Sequence, residues 1–238
     1  AAAPGDYVVS LLNIWPTVEA HYASELPADL RAVMEAYADG VNLYAAQHPE
    51  QVAASALPFT GQDVAAGFLF KMPFFYGLDK TLKQVFEGKA ELVKTPTGSN
   101  AVAVAPIRSS DGATRLLVNS HQPYTGAVAW YEAVLQSDEG WHVAGGFFPG
   151  SPFMLHGHNE HLGWANTVNA PDLADVYQLT SNPENTDQYR LDGQWRDLEK
   201  STAWLWVKLW GPLLLPVPKT VYRSAHGPVL RTEQGDFA

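Results

Sequence analysis

Residues 95–106 read TPTGSNAVAVAP, and the fold is decided by how this stretch divides the chain. Turn formers and Gly98 lead straight into Ser99, and a strand-like apolar run begins at Asn100. A serine inside a chain is a weak nucleophile that needs a base beside it. A cut between Gly98 and Ser99 would create one, because the new α-amine would stand next to the hydroxyl.

The chain is helical in character before this point and strand-rich after it. From Pro27, PADLRAVMEAYADGVNLYAAQ places Leu30, Val33, Met34, Tyr37, Val41 and Tyr44 at three- and four-residue steps, which predicts an amphipathic helix. GQDVAAGFLFKM predicts a second helix and DKTLKQVF a third. After Ser99, NAVAVAPI, RLLVN, AWYEAVLQ, WHVAGGFF, LGWANTV, DVYQLT and TAWLWVKLW read as short strands. SSDG, SDEG, FPGSP and NPENTD separate them with turn chemistry. Helices first and antiparallel-type strands after is an α+β pattern, with its boundary at Ser99. The very apolar stretch WLWVKLWGPLLLPVP reads as an inward strand and a packed loop, with a partner or lipid contact as the alternative.

The bulk composition limits the functions open to such a chain. Its 238 residues suffice for one large domain or two small ones, and 46% apolar against 17% charged residues is globular material. A net charge of −10 argues against nucleic acid and anionic lipid as partners. Without cysteine, disulfides, thiolate zinc sites and cysteine nucleophiles are excluded. No run reaches the roughly 18 apolar residues of a membrane span, and AAAPGDY has no signal-peptide pattern.

Four patterns after the boundary carry possible chemistry. They are GSN at 98–100, NSHQPY at 119–124, GHNEHLGWANTVN at 157–169 and SAHGPV at 224–229. Each alone is weak, since such tripeptides are common and a lone histidine is more often structural than catalytic. The set at these spacings is specific.

In these residues the chain resembles the penicillin acylase family of N-terminal nucleophile hydrolases. Within it, the pattern is nearest to the acyl-homoserine-lactone acylases and cephalosporin acylases. Those precursors cut themselves at Gly–Ser, and their β chain opens Ser-Asn and a strand, as Ser99-Asn100-AVAVAP does. An Asn-x-His-x-x-aromatic comes next, matched by Asn119-Ser-His121-Gln-Pro-Tyr124, where penicillin G acylases typically have Gln in place of the histidine. AYADGVN at 36–42 is similar to a helix of the family's α chain, and the likeness runs over most of residues 28 to 230.

The resemblance implies an αββα four-layer sandwich of two stacked antiparallel sheets flanked by helices. Residues 1–98 would be the helical α-chain portion, and 99–238 the start of a β chain carrying the core. It implies that Ser99 Oγ attacks an amide carbonyl while its own α-amine takes the proton, directly or through a water. Such an amine titrates near pH 7.7–8.0, close to working pH. The Val168 N–H and an asparagine side chain would hold the oxyanion, each donor contributing ~3 kcal/mol or more. His121 would hold the serine and its amine, and Asn100, Asn166 and Asn169 are candidates for fixing the amine or the substrate amide. Matching positions assign the acyl pocket to Phe75, Tyr76, Gln122, Trp130, Phe153 and Leu155, with core packing the competing explanation for these apolar residues. No catalytic cofactor is implied. Asp172 and Asp175, with the Ala174 carbonyl between, resemble the calcium loop of penicillin G acylases and suit that ion's hard oxygen ligation. The implied substrate is an N-acyl-homoserine lactone or a β-lactam side-chain amide, and the implied location is periplasmic or secreted.

Two other classes compete. HGHNEH at 156–161, with His226, is nearly the His-x-His-x-Asp-His signature of metallo-β-lactamase-fold hydrolases, which include lactonases. Glu160 stands where that signature has aspartate, and zinc explains neither Gly98-Ser99 nor His121. A non-catalytic binding domain using its eight tryptophans on an exposed face is the other.

Relatives continue past SAHGPV without a break, so the resemblance also implies that these residues are part of a larger enzyme. Its remaining β-chain segment would then be a partner supplying the second oxyanion donor. Residues 1–238 on their own would be nearly inactive and poorly soluble.

Overall fold

The computed structural model describes residues 3–87, 98–126, 128–169, 175–210 and 213–238. Five α-helices among the described residues precede Ser99: α1 (Ala3–Leu11), α2 (Ile14–Glu25), α3 (Ala28–Gln47), α4 (Gly61–Phe75) and α5 (Leu78–Phe86). Thirteen described strands come after it. They are β1 (Asn100–Val104), β2 (Arg115–Asn119), β3 (Tyr131–Gln136), β4 (His142–Phe147), β5 (Met154–His158), β6 (Gly163–Trp164) and β7 (Gln178–Leu179), then β8 (Gln188–Leu191), β9 (Gln194–Asp197), β10 (Glu199–Lys208), β11 (Leu214–Ser224), β12 (Gly227–Thr232) and β13 (Gly235–Phe237). The protein is a mixed α/β chain whose described sheets are all antiparallel.

These elements form two compact units that interleave along the sequence. The first takes residues 1–24, 76–93 and 172–238, and the second takes 25–75 and 94–171.

In the first unit a sheet runs in the order β10-β11-β12-β13-β7. Leu11 of α1 and Val85 of α5 bury against Ala203, Val221, Leu230 and Phe237 of that sheet. The last carbonyls of α1 need partners outside the helix. Arg223 Nη2 supplies them, donating to Ser10 O at 2.9 Å and Leu11 O at 2.5 Å. The apolar stretch read as an inward strand and a packed loop is instead two long strands, paired from Glu199↔Arg223 to Lys208↔Leu214. Only one face of β10 turns inward. Ala203 is buried, whereas Trp204 and Trp206 are 57% and 48% exposed. The period-2 alternation of a strand explains this, since a continuous apolar run must send every second side chain to the other face.

The second unit holds α3 and α4, the β1–β2 hairpin and the sheet β3-β4-β5-β6. α3 opens after Pro27 with Asp29 in its first turn, where a negative charge meets the positive end of the helix dipole. Its buried stripe is Met34, Ala38 and Ala45, while Val33 and Tyr44 are about half exposed. The apolar face thus lies rotated from the one the large side chains suggest, and α3 packs against α4. TGQD at 60–63 is a capping box that starts α4: Asp63 N donates to Thr60 Oγ1 at 3.2 Å, and Thr60 N donates to Asp63 Oδ2 at 2.8 Å. The loop before it is pinned by Asn42, which donates to Phe59 O at 2.7 Å and accepts from Phe59 N at 2.8 Å.

The run LGWANTV is a strand only at Gly163–Trp164. Beyond it Asn166 Nδ2 donates to Leu155 O at 2.9 Å, so this side chain, and not a continued ladder, holds the segment.

Candidate active site

The register of one hairpin assembles the site. β1 and β2 pair from Val104↔Arg115 to Asn100↔Asn119. Their connecting turn is the SSDG stretch, where Gly112 takes φ +71° and the Asp111 carboxylate meets Arg115 at 2.6 Å. Extending the same register by two positions sets Ser99 opposite Ser120 and Gly98 opposite His121. The contacts agree: Ser99 Oγ donates to Ser120 O at 3.0 Å, and a Cβ placed on Gly98 would lie 3.9 Å from His121 Nδ1. The 22-residue spacing of Ser99 and His121 is therefore the contour of a five-pair hairpin and its loop.

His121 sits in the left-handed region at φ +49°, which few residues other than glycine adopt. Asn119 holds it there, its Oδ1 accepting from His121 N at 3.1 Å. The ring is held separately, Asn100 Nδ2 meeting His121 Nε2 at 3.1 Å. Asn100 thus faces the histidine. Gln122 is half-buried, and its Nε2 donates to the Ser120 carbonyl that also takes the serine hydroxyl, at 3.4 Å. Ser99 is half-buried too, while His121 is exposed.

An apolar cluster in the same unit gathers some of the residues assigned to the acyl pocket. Phe75 and Trp130 both stand edge-on to Phe148, at centroid distances of 6.1 and 5.6 Å. Trp130 also stands edge-on to His156 at 4.6 Å. The Gly146↔His156 pair across β4 and β5 makes the space, for a Cβ on Gly146 would lie 2.7 Å from Trp130 Cε3. Phe148 and His156 are the members that pattern-reading did not assign to this cluster. Neither carries a local sequence signal, since only the β4–β5 register sets Gly146 opposite His156. His156 is buried, which pushes its imidazole pKa down by desolvation. Its Nδ1 and Trp130 Nε1 are buried without a hydrogen-bond partner among the described residues.

The other assigned residues take no part in these ring contacts. Leu155 contributes its carbonyl to Asn166, and Phe153 N donates to Ser151 Oγ at 3.3 Å. Val168 is half-buried in irregular chain, and Asn169 beside it is exposed. Tyr76 belongs to the first unit and is 49% exposed. Asp172 and Ala174 lie outside the described residues, and Asp175 is exposed.

The histidines of HGHNEH do not converge. His156 turns into the Trp130 cluster, Glu160 pairs with His142 at 3.3 Å, and no group of three potential metal ligands occurs among the described residues. No helix among them is long and apolar enough to cross a membrane.

A serine and a histidine thus stand at one hairpin end, with a glycine directly before the serine. The penicillin amidase family model matches residues 1–238, and the chain belongs to that family. It is 31% identical over 256 residues to an acyl-homoserine lactone acylase, PvdQ, of Pseudomonas fluorescens strain Pf0-1, covering 95% of this chain and 32% of the relative. It is 38% identical over 136 residues to the PvdQ of strain ATCC BAA-477 / NRRL B-23932 / Pf-5 of the same species, covering 56% of this chain and 17% of that protein. Among solved structures, a thermostable penicillin G acylase from Alcaligenes faecalis matches 57% of this chain and 24% of its own, with TM-score 0.44 and 27% identity. The chain thus spans a minor part of the length of the relatives it matches.

Proposed function

We propose that the chain is the nucleophile-bearing part of a self-processing amidohydrolase, cut between Gly98 and Ser99. The observation that carries the reading is the hairpin end, where Gly98, Ser99 and His121 are brought together by the β1–β2 register. In the uncut chain Ser99 N is an amide and cannot act as base. Cleavage turns it into an amine, which takes the Oγ proton as the oxygen attacks the acyl carbon. The tetrahedral oxyanion is met by the Val168 N–H and by an asparagine from the rest of the polypeptide. The Ser99 α-ammonium passes that proton to the leaving nitrogen as collapse expels the amine product, and water then releases the acyl group from Ser99 as a carboxylic acid.

The substrate in this reading is an N-acyl-homoserine lactone, in keeping with the names of the relatives, and its acyl chain lies along Phe75, Trp130, Phe153 and Leu155. Penicillin and cephalosporin side chains are the alternative. Under the same reading residues 1–98 and 99–238 become α- and β-chain portions of an αββα sandwich, the enzyme works in the periplasm or outside the cell, and calcium at Asp172 and Asp175 is structural.

Deacylation of a panel of acyl-homoserine lactones and penicillins by the whole polypeptide tests the substrate. Release of free homoserine lactone is expected, and turnover of neither class would reject it. Ser99→Ala should leave a single uncut chain with no activity. His121→Ala should still be cut, with turnover lowered and KM little changed, in steady-state assays.

A further inference from the structure

We propose that Asn100 is a positioning residue that fixes the tautomer of His121, so that the ring presents an Nδ1–H to the Gly98–Ser99 junction. The inference rests on the catalytic reading of this site for its consequence, though not for its observation. A carboxamide nitrogen only donates, so the 3.1 Å contact from Asn100 Nδ2 makes His121 Nε2 the acceptor. A neutral imidazole then carries its proton on Nδ1. That atom makes no hydrogen bond among the described residues and faces the junction, 3.9 Å from where a Gly98 Cβ would stand. Asn119, the cross-strand partner of Asn100, secures the backbone of the same residue in its left-handed conformation. One asparagine of the pair therefore sets the ring and the other the main chain.

The consequence arises once Ser99 is a chain terminus. An Nδ1–H donated to Ser99 Oγ occupies an oxygen lone pair, and the hydroxyl proton then turns from Ser120 O to the α-amine that must accept it. The opposite tautomer would offer a lone pair instead and compete with the amine for that proton.

The test is nitrogen-15 NMR of the His121 ring in the uncut Ser99→Ala chain at a pH where the ring is neutral. A protonated Nδ1 is expected. Asn100→Asp replaces the donor by an acceptor, so the signature should switch to a protonated Nε2. In the cleavable protein the same substitution should lower kcat about tenfold or more with KM nearly unchanged, since a wrong tautomer disables an otherwise intact site. Should Asn100→Asp fail to fold, Asn100→Ala should give a mixture of tautomers. A protonated Nε2 in the parent, an unchanged tautomer in both variants, or a switched tautomer with unchanged kcat would each overturn the proposal. If the parent spectra agree but no amide is hydrolysed, the tautomer assignment stands and the amidohydrolase reading fails.

Discussion

His156 is the residue whose role changes most when the strands are paired. In HGHNEH it reads as a metal ligand, yet the Gly146↔His156 register turns it onto the face of the sheet that Trp130 covers. Burial without a partner for Nδ1 disfavours the imidazolium, so the folded pKa lies below the unfolded value. The unfolded chain therefore binds a proton first as the pH falls. The contribution to stability is complete above the unfolded pKa of about 6.5 and declines as the pH drops from there toward the folded value. Urea midpoints of the wild type should fall between pH 7 and 5 more steeply than those of His156→Phe, and equal slopes would contradict this. Gly146→Ala tests the packing on the same spot. Its Cβ would stand 2.7 Å from the indole, and an overpacked core site costs about 1–3 kcal/mol. Thermal melts should drop by several degrees.

At the scale of elements, what was legible were the segments whose periodicity is undiluted. α3 and α4, β1 and β2 could be read because apolar spacing and flanking turn residues agree within a few residues. α1 and α2 lacked their own signals: their apolar residues carry no clean stripe, and Pro16 and Asn13 read as breakers. Pro16 is tolerated because it falls in the first turn of α2, where its missing N–H is not needed. β11 was hidden by Pro216 and Pro218, which ordinarily demote a strand; both lie where β11 pairs with β10 alone, before β12 joins at Tyr222. For the candidate site, the local motifs single out Ser99 and His121, whereas the ring cluster of Phe148 and His156 needed a strand register that no local pattern supplies. Arg223 is a further contact beyond local reading, joining the end of α1 to a strand more than 200 residues away. Arg223→Met removes two charge-assisted bonds, and with partial exposure the expected loss is about 1–2 kcal/mol in chemical denaturation.

At the scale of the molecule, the proposed cut does not fall between the two compact units. Each unit contains chain from both sides of Gly98–Ser99. In the first, Leu11 and Val85 are buried against Ala203 and Val221; in the second, Phe75 meets Phe148 and Lys71 Nζ donates to Pro149 O at 2.7 Å. Cleavage would therefore sever the backbone and leave both cores in place. The cut protein should elute as one species in native size-exclusion chromatography and separate only on denaturation. Elution as two separate peaks would mean that these cores do not hold the chains together.

The central claim is that Ser99 becomes a chain terminus, and intact mass of the denatured protein tests it most directly. One chain ending at Gly98 and another beginning at Ser99 are expected, with the Ser99→Ala variant remaining whole. A single uncut chain in the wild type would contradict it.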